Sequence, residues 1–205
     1  MPMNLPIVLT WGRMLAIPLL VAVFYLPLSA WHQNLIATVM FIIAAVTDWV
    51  DGYLARRLGQ TTAFGAFLDP VADKLLVCAA LVMLVQLGRV DGLIAVIIIG
   101  REIAISALRE WMARIGAHAS VAVHKIGKFK TASQLVAIPL LLLDARILGV
   151  ETRYVGTALI VIAAVLTVWS MFYYLQRARP YLRAEKIAAI ISLFARHRPA
   201  RYPRE

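Results

Sequence analysis

Asp48-Trp49-Val50-Asp51-Gly52-Tyr53-Leu54-Ala55-Arg56, then eight residues, then Gly65-Ala66-Phe67-Leu68-Asp69-Pro70-Val71-Ala72-Asp73 is the stretch that decides how this chain is read. It sets four carboxylates in an otherwise apolar sequence. Asp48 and Asp51 are three residues apart and Asp69 and Asp73 are four apart, so on helices each pair shares a face. Two helices joined by a short link lie antiparallel, and their acidic faces can meet. Four carboxylates gathered near lipid repel one another and are costly to desolvate. Two hard divalent cations, Mg²⁺ or Mn²⁺, would relieve that repulsion, since such ions take oxygen ligands. Held about 4 Å apart, they could clamp a phosphoryl group during displacement. Gly52, Ala55 and Gly65 let backbone or a bulky ligand approach closely. Arg56, a turn beyond Asp51, could pair with phosphate oxygens. Taken singly, each Asp could equally cap a helix or pair with a nearby arginine.

The composition sets these carboxylates in a membrane. Of the 205 residues 62% are hydrophobic, where a soluble domain sits nearer half. Several apolar runs approach the roughly 20 residues that span a bilayer. The net charge of +10 reads first as a topology signal and second as an attraction for anionic headgroups. A nucleic-acid partner is not expected, because the basic residues flank apolar runs. The lone cysteine, Cys78, excludes an internal disulfide and reads as a small buried hydrophobe. No cleavable leader is expected: Met1 to Thr10 carries no basic residue and no small-residue cleavage site follows.

The expected fold is an all-α polytopic membrane protein with six transmembrane helices and short amphipathic juxtamembrane helices at the N- and C-terminal ends. One domain covers 1–205: an interfacial lead-in at 1–6, a six-helix bundle over 7–178, an amphipathic surface helix at 180–197 and a tail at 198–205. The spans are expected near 7–27, 35–54, 64–87, 93–112, 126–143 and 154–175, with polar turns at 29–34 and 144–153. In 181–196 Leu182, Ile187, Ile190, Ile191 and Phe194 oppose Arg183, Lys186 and Arg196, as in a helix lying on a membrane surface. Six spans put both termini on one side. Only Arg89, Arg146 and Arg153 fall on the loops after spans three and five, and the other 18 of the 21 basic residues favour the opposite side. That side is cytoplasmic by the positive-inside rule, which puts the four Asp at the cytoplasmic ends of spans two and three.

A second charged group lies at membrane depth. Arg101, Glu102, Arg109 and Glu110 recur along span four, with Arg101 and Arg109 near one face, and Lys125, Lys128 and Lys130 open span five. Intramembrane charges normally face the bundle interior and mark function. Cations opposite a carboxylate cluster suit two phosphate groups, one metal-held and one gripped by Arg101, Arg109, Lys128 and Lys130. The competing reading pairs Arg101 with Glu102 and Arg109 with Glu110, and takes the lysines as an ordinary basic flank. Trp169, Phe172, Tyr173 and Tyr174 end span six as an interfacial belt, or offer a hydroxyl to a phosphate. His32, His118, His124 and His197 have no metal-ligand spacing.

The pattern D-x-x-D-G-x-x-A-R, eight residues, G-x-x-x-D-x-x-x-D resembles the signature of the CDP-alcohol phosphatidyltransferase family at every defining position. Within it, Ala45 to Trp49, Arg101 to Trp111, Ile126 to Thr131, and the opening Asn4-Leu5-Pro6 with Thr10 and Arg13 are similar to the members that make phosphatidylglycerophosphate. The chain departs from them at His124-Lys125 and in 144–153. The resemblance implies phosphatidyl transfer from CDP-diacylglycerol to glycerol 3-phosphate, with CMP released. It implies metals on Asp48, Asp51, Asp69 and Asp73, and Asp73 as the base. Asp48, Asp51, Gly52, Ala55, Arg56, Gly65 and Asp69 would hold the CDP-lipid. It also implies a homodimer in the bacterial inner membrane. Small-residue patches at Ala44-Ala45 and Ala163-Ala164 permit close helix packing. Rival readings are a sister enzyme with inositol phosphate, serine or phosphatidylglycerol as acceptor, a divalent-cation transporter, and a purely structural membrane subunit.

Overall fold

The computed structural model describes residues 5–58, 63–114, 125–147 and 149–196; side chains at 5–8, 49, 51–56, 58, 63–64, 66–67, 125–128, 177–178 and 180–196 are outside the description. Among the described residues six helices run in chain order: α1 Leu5–Val23, α2 Ala30–Leu58, α3 Ala63–Gln86, α4 Gly92–Arg114, α5 Lys125–Leu143 and α6 Thr152–Arg196. A two-stranded antiparallel hairpin, β1 Arg146–Ile147 and β2 Val150–Glu151, joins α5 to α6 where a polar turn was expected.

Helix ends follow local chemistry. Most of the expected turn at 29–34 is helical: the Ser29 carbonyl accepts the Gln33 amide at 3.0 Å, so α2 starts early. Asp91 Oδ1 accepts the Leu93 amide at 2.8 Å and caps α4. Gly88, at φ 67°, takes the left-handed turn that closes α3, with Arg89 N donating to Leu84 O at 2.9 Å. The segment at 180–197 was expected as a separate surface helix. Its helical part instead continues α6 through Pro180 to Arg196. A single proline removes one backbone bond, and the flanking Leu175-Gln176-Arg177-Ala178-Arg179 and Leu182-Arg183-Ala184-Glu185-Lys186 still favour helix.

Two helical segments, Ala30–Asp48 and Thr152–Gln176, are long and apolar enough to cross a membrane. The apolar parts of α1 and α5, Leu9–Val23 and Phe129–Leu143, are shorter. Charges interrupt α3 and α4. Large apolar side chains also face outward, and several polar ones are buried, unlike a water-soluble bundle. Leu15, Ile43, Val82, Val96, Val136 and Val165, one from each helix, are exposed, whereas Thr10, Arg13, Arg101, Lys130, Gln134 and Ser170 are buried. A surface of this kind suits lipid contact.

The core is built from Leu20, Phe41, Leu76, Leu81, Ile98, Ile138, Leu141 and Ile160, with small residues at the helix crossings. Ala44, Ala163 and Ala164 are buried inside the chain, so these patches serve its own packing. Gly156 lets α6 close on α5: a Cβ there would meet Leu141 Cγ at 2.7 Å. At the far end Arg89 donates to the Leu141 and Leu142 carbonyls (3.1 and 2.7 Å) and to Asn34 Oδ1 (2.9 Å), and pairs with Asp144 (3.2 Å). It closes the end of α5 with a cation, which the helix dipole favours. Burial lowers its pKa and the Asp144 carboxylate opposes that shift.

Candidate active site

Among the described residues α2 and α3 each pack chiefly against α1 rather than against each other. The acidic side chains follow that arrangement. Thr10 Oγ1 donates to Asp69 Oδ1 at 2.6 Å. Arg13, whose side chain is 1% exposed, donates from Nη1 to Asp48 Oδ1. One helix thus steadies one carboxylate on each acidic helix. The arginine pairing weighed for a single Asp is realised at Asp48. Asp51, Gly52, Ala55 and Arg56 belong to α2, but their side chains are outside the described residues; Gly65 lies in the first turn of α3.

The donor chemistry suits a hard cation, with carboxylates on two helices that share α1 as a support. Among the described residues no group of three or more His, Cys, Asp or Glu is placed to hold a metal ion. The expected set includes Asp51, whose side chain is not among them.

Asp73, one turn beyond Asp69, opens onto a cleft also lined by Lys74, Val77, Glu102, Thr131, Gln134 and Leu135. The cleft connects the acidic helices to a cationic cluster on α4 and α5, against which α6 packs Ser170 and Tyr174. Glu102 Oε1 accepts from Lys130 Nζ and, at 3.2 Å, from Arg101 Nη1. Arg101 Nη2 donates to Ser170 Oγ at 3.1 Å. Arg101 and Arg109 of α4 both lie against the ring of Tyr174, its centroid 5.8 Å from Arg101 Cζ and 5.5 Å from Arg109 Cζ. Its hydroxyl accepts from Arg109 Nη2 at 3.3 Å. Cation–π contact with one buried ring holds both guanidinium groups in place.

Arg101, Arg109 and Lys130 therefore come together, and Lys128 has its side chain outside the described residues. Lys130 is 1% exposed, so it is not a basic flank. Of the two ion pairs weighed on α4, Arg101–Glu102 forms; Glu110 pairs instead with Arg114, at 2.6 Å. The aromatic group at the end of span six divides: Trp169 and Phe172 face outward, and Tyr174 is buried against the arginines. Cys78 is a half-buried free thiol. His32 meets Ser29 Oγ at 2.7 Å, and His118, His124 and His197 lie outside the described residues. Sequence reasoning gave Glu102 only the ion pair with Arg101 and did not single out Gln134. A signal for Gln134 was its place four residues after Lys130, on the same face of α5.

Residues 3–169 match the CDP-alcohol phosphatidyltransferase family. Over 181 residues, 87% of this chain and 97% of the relative, the sequence is 52% identical to a protein of Salmonella choleraesuis (strain SC-B67) named CDP-diacylglycerol–glycerol-3-phosphate 3-phosphatidyltransferase. Proteins of that name from Shigella flexneri serotype 5b (strain 8401) and Escherichia coli (strain K12) are 52% and 51% identical over the same shares. The family match takes in the acidic helices, the cationic cluster on α4 and α5, and the first part of α6. This chain belongs to the CDP-alcohol phosphatidyltransferase family.

Proposed function

We propose that this chain transfers the phosphatidyl group of CDP-diacylglycerol to glycerol 3-phosphate, giving phosphatidylglycerophosphate and CMP. The observation that carries the reading is the single cleft in which Asp73, from the acidic helices, faces Glu102 with its attached Lys130 and Arg101. The relatives of that name, alike over 87% of the chain, support the choice of donor and acceptor.

In this reading the acidic half of the site takes the pyrophosphate and the cationic half takes the acceptor's phosphate. Asp48, Asp51, Asp69 and Asp73 would hold two divalent cations, Mg²⁺ or Mn²⁺. Bound there, the cations would neutralise the pyrophosphate and the departing CMP. Gly52, Ala55, Arg56 and Gly65 would lie against the nucleotide. Arg101, Arg109, Lys128 and Lys130 would grip the phosphate of glycerol 3-phosphate, with Tyr174 fixing the two arginines. The terminal hydroxyl of the acceptor attacks the phosphorus that bears diacylglycerol. A new P–O bond forms, the bond to CMP breaks, and Asp73 takes the hydroxyl proton. An apolar groove of about 480 Å³, lined by Leu9, Gly12, Ala16, Met40, Ile43 and Ala44 and reaching Arg13, suits an acyl chain of the lipid.

Six spans, the bacterial inner membrane, a cytoplasmic site, the domain limits and a homodimer complete the proposal. The outward apolar side chains on all six helices support the spans, and the distribution of basic residues supports the orientation. Family resemblance supports the dimer, which cross-linking in native membranes would test. The four Asp lie in the sequence where α2 ends and α3 begins, which supports a site at one interface, whereas a cation path would need them near mid-depth. The deciding experiment follows CMP release from CDP-diacylglycerol by purified protein offered glycerol 3-phosphate, inositol phosphate, serine or phosphatidylglycerol. Release with glycerol 3-phosphate alone is expected. Release with another acceptor and none with glycerol 3-phosphate would overturn the reading.

A further inference from the structure

We propose that Gln134 is a specificity-determining residue that recognises the second, non-reacting hydroxyl of the acceptor; this rests on glycerol 3-phosphate being that acceptor. Gln134 is 5% exposed and lines the cleft beside Asp73 and Glu102. Its side-chain Nε2 is buried and has no hydrogen-bond partner among the described residues. A buried amide N–H left unpaired is costly, and a leucine would pack well in a cleft that Val77 of α3 and Leu135 of α5 also line. An amide at this position therefore points to a ligand that completes it.

The register along α5 says which part of the ligand that is. Lys130 and Gln134 are one turn apart on the buried face, about 6 Å along the axis. Lys130, at the outer position, belongs to the cationic cluster that meets the phosphate. Asp73, across the cleft, faces the hydroxyl that reacts. Glycerol 3-phosphate carries one further polar group between those two, the hydroxyl on its middle carbon. Glu102 Oε1 is already engaged by Lys130 and Arg101, whereas the Gln134 amide has an N–H to donate. Its donation to the middle hydroxyl would fix the carbon chain and aim the terminal hydroxyl at Asp73.

The test compares glycerol 3-phosphate with 1,3-propanediol monophosphate, which keeps the phosphate and the reacting hydroxyl and lacks the middle one. Full-length protein in lipid nanodiscs is assayed for CMP release. Wild type is expected to favour glycerol 3-phosphate by at least about ten-fold in kcat/KM, because a site built around a hydroxyl rejects the analogue without it. In Gln134→Leu, and in the unbranched Gln134→Met, that ratio should fall to within about two-fold, through loss on glycerol 3-phosphate. Equal use of both acceptors by wild type would overturn the proposal with no variant needed, as would an unchanged ratio in either variant. Turnover of neither acceptor by wild type would instead sink the functional reading on which it rests.

Discussion

Among the described residues Lys130 and Glu102 form the most buried ion pair, with side chains 2% and 21% exposed, and a double-mutant cycle on them tests the electrostatic design of the bundle. At contact, near 4 Å, and at the effective dielectric of about 20 that suits protein sites, the attraction is about 4 kcal/mol. Desolvation of both groups offsets much of it, so the pair adds little against an apolar replacement. Removing one partner is different. Glu102→Gln leaves Lys130 and Arg101 buried without their anion, and a cost of about 3 kcal/mol is expected. Lys130→Met leaves Glu102 with Arg101 alone, at 3.2 Å, and should cost about 2 kcal/mol because one cation remains. The double variant removes both charges and should cost far less than the two singles together, giving a coupling of about 2–3 kcal/mol. The assay is SDS-driven unfolding in mixed micelles, followed by tryptophan fluorescence. Additive costs, or a Glu102→Gln variant as stable as wild type, would refute the claim that this carboxylate holds the cationic cluster together.

Other outcomes follow from the same geometry. Asp73→Asn should reduce turnover by at least about 10²-fold, the scale of a lost general base, while titration with a CDP-lipid still shows binding; wild-type rates would exclude Asp73 as the base. Arg109→Ala should raise KM for glycerol 3-phosphate by roughly ten-fold or more, as for a lost charge-assisted contact, and leave KM for CDP-diacylglycerol within about two-fold; equal rises in both would count against a separate phosphate pocket. Arg89→Met removes three hydrogen bonds and the Asp144 pair at the end away from the cleft. It should lower stability by about 2–4 kcal/mol with little change in KM for either substrate; unaltered stability would show that those bonds are replaced by water.

The helices were legible because apolar runs broken by Gly, Asp and Ser leave few choices of boundary. The third span was expected near 64–87 and α3 is Ala63–Gln86; the fifth was expected near 126–143 and α5 is Lys125–Leu143. Part of the site was legible for the same local reason: an eight-residue step on one helix returns Arg101 and Arg109 to neighbouring positions. What stayed hidden is carried by contacts between distant residues. Thr10 reaches Asp69 across 59 positions and Arg13 reaches Asp48 across 35, and no local pattern announces either. Tyr174 and Phe172 read alike as belt aromatics, and only packing of α6 on α4 turns one inward. Arg89 counted as one loop charge for topology, and its role closing α5 depends on where α5 ends in space.

The division of charge between the two halves of the bundle bears on the chemistry. The donor brings a pyrophosphate and the acceptor a phosphate, and two polyanions must approach while one attacks the other. With both in one cationic pocket they could exchange places and CDP-lipid could block the acceptor position. Here α2 and α3 bring the four Asp, which repel a bare phosphate unless cations intervene, and α4 and α5 bring Arg101, Arg109 and Lys130, which on the proposed reading accept one directly. Asp73 and Glu102 meet on the boundary between them. Glu102 is neutralised by Lys130 and Arg101, so it adds little repulsion toward Asp73 or an incoming phosphate. On the proposed reading, donor binding would need metal and acceptor binding would not. With EDTA present, CDP-lipid affinity should collapse while inorganic phosphate still protects the α4–α6 half from unfolding; loss of both together would mean that the two halves form a single anion site.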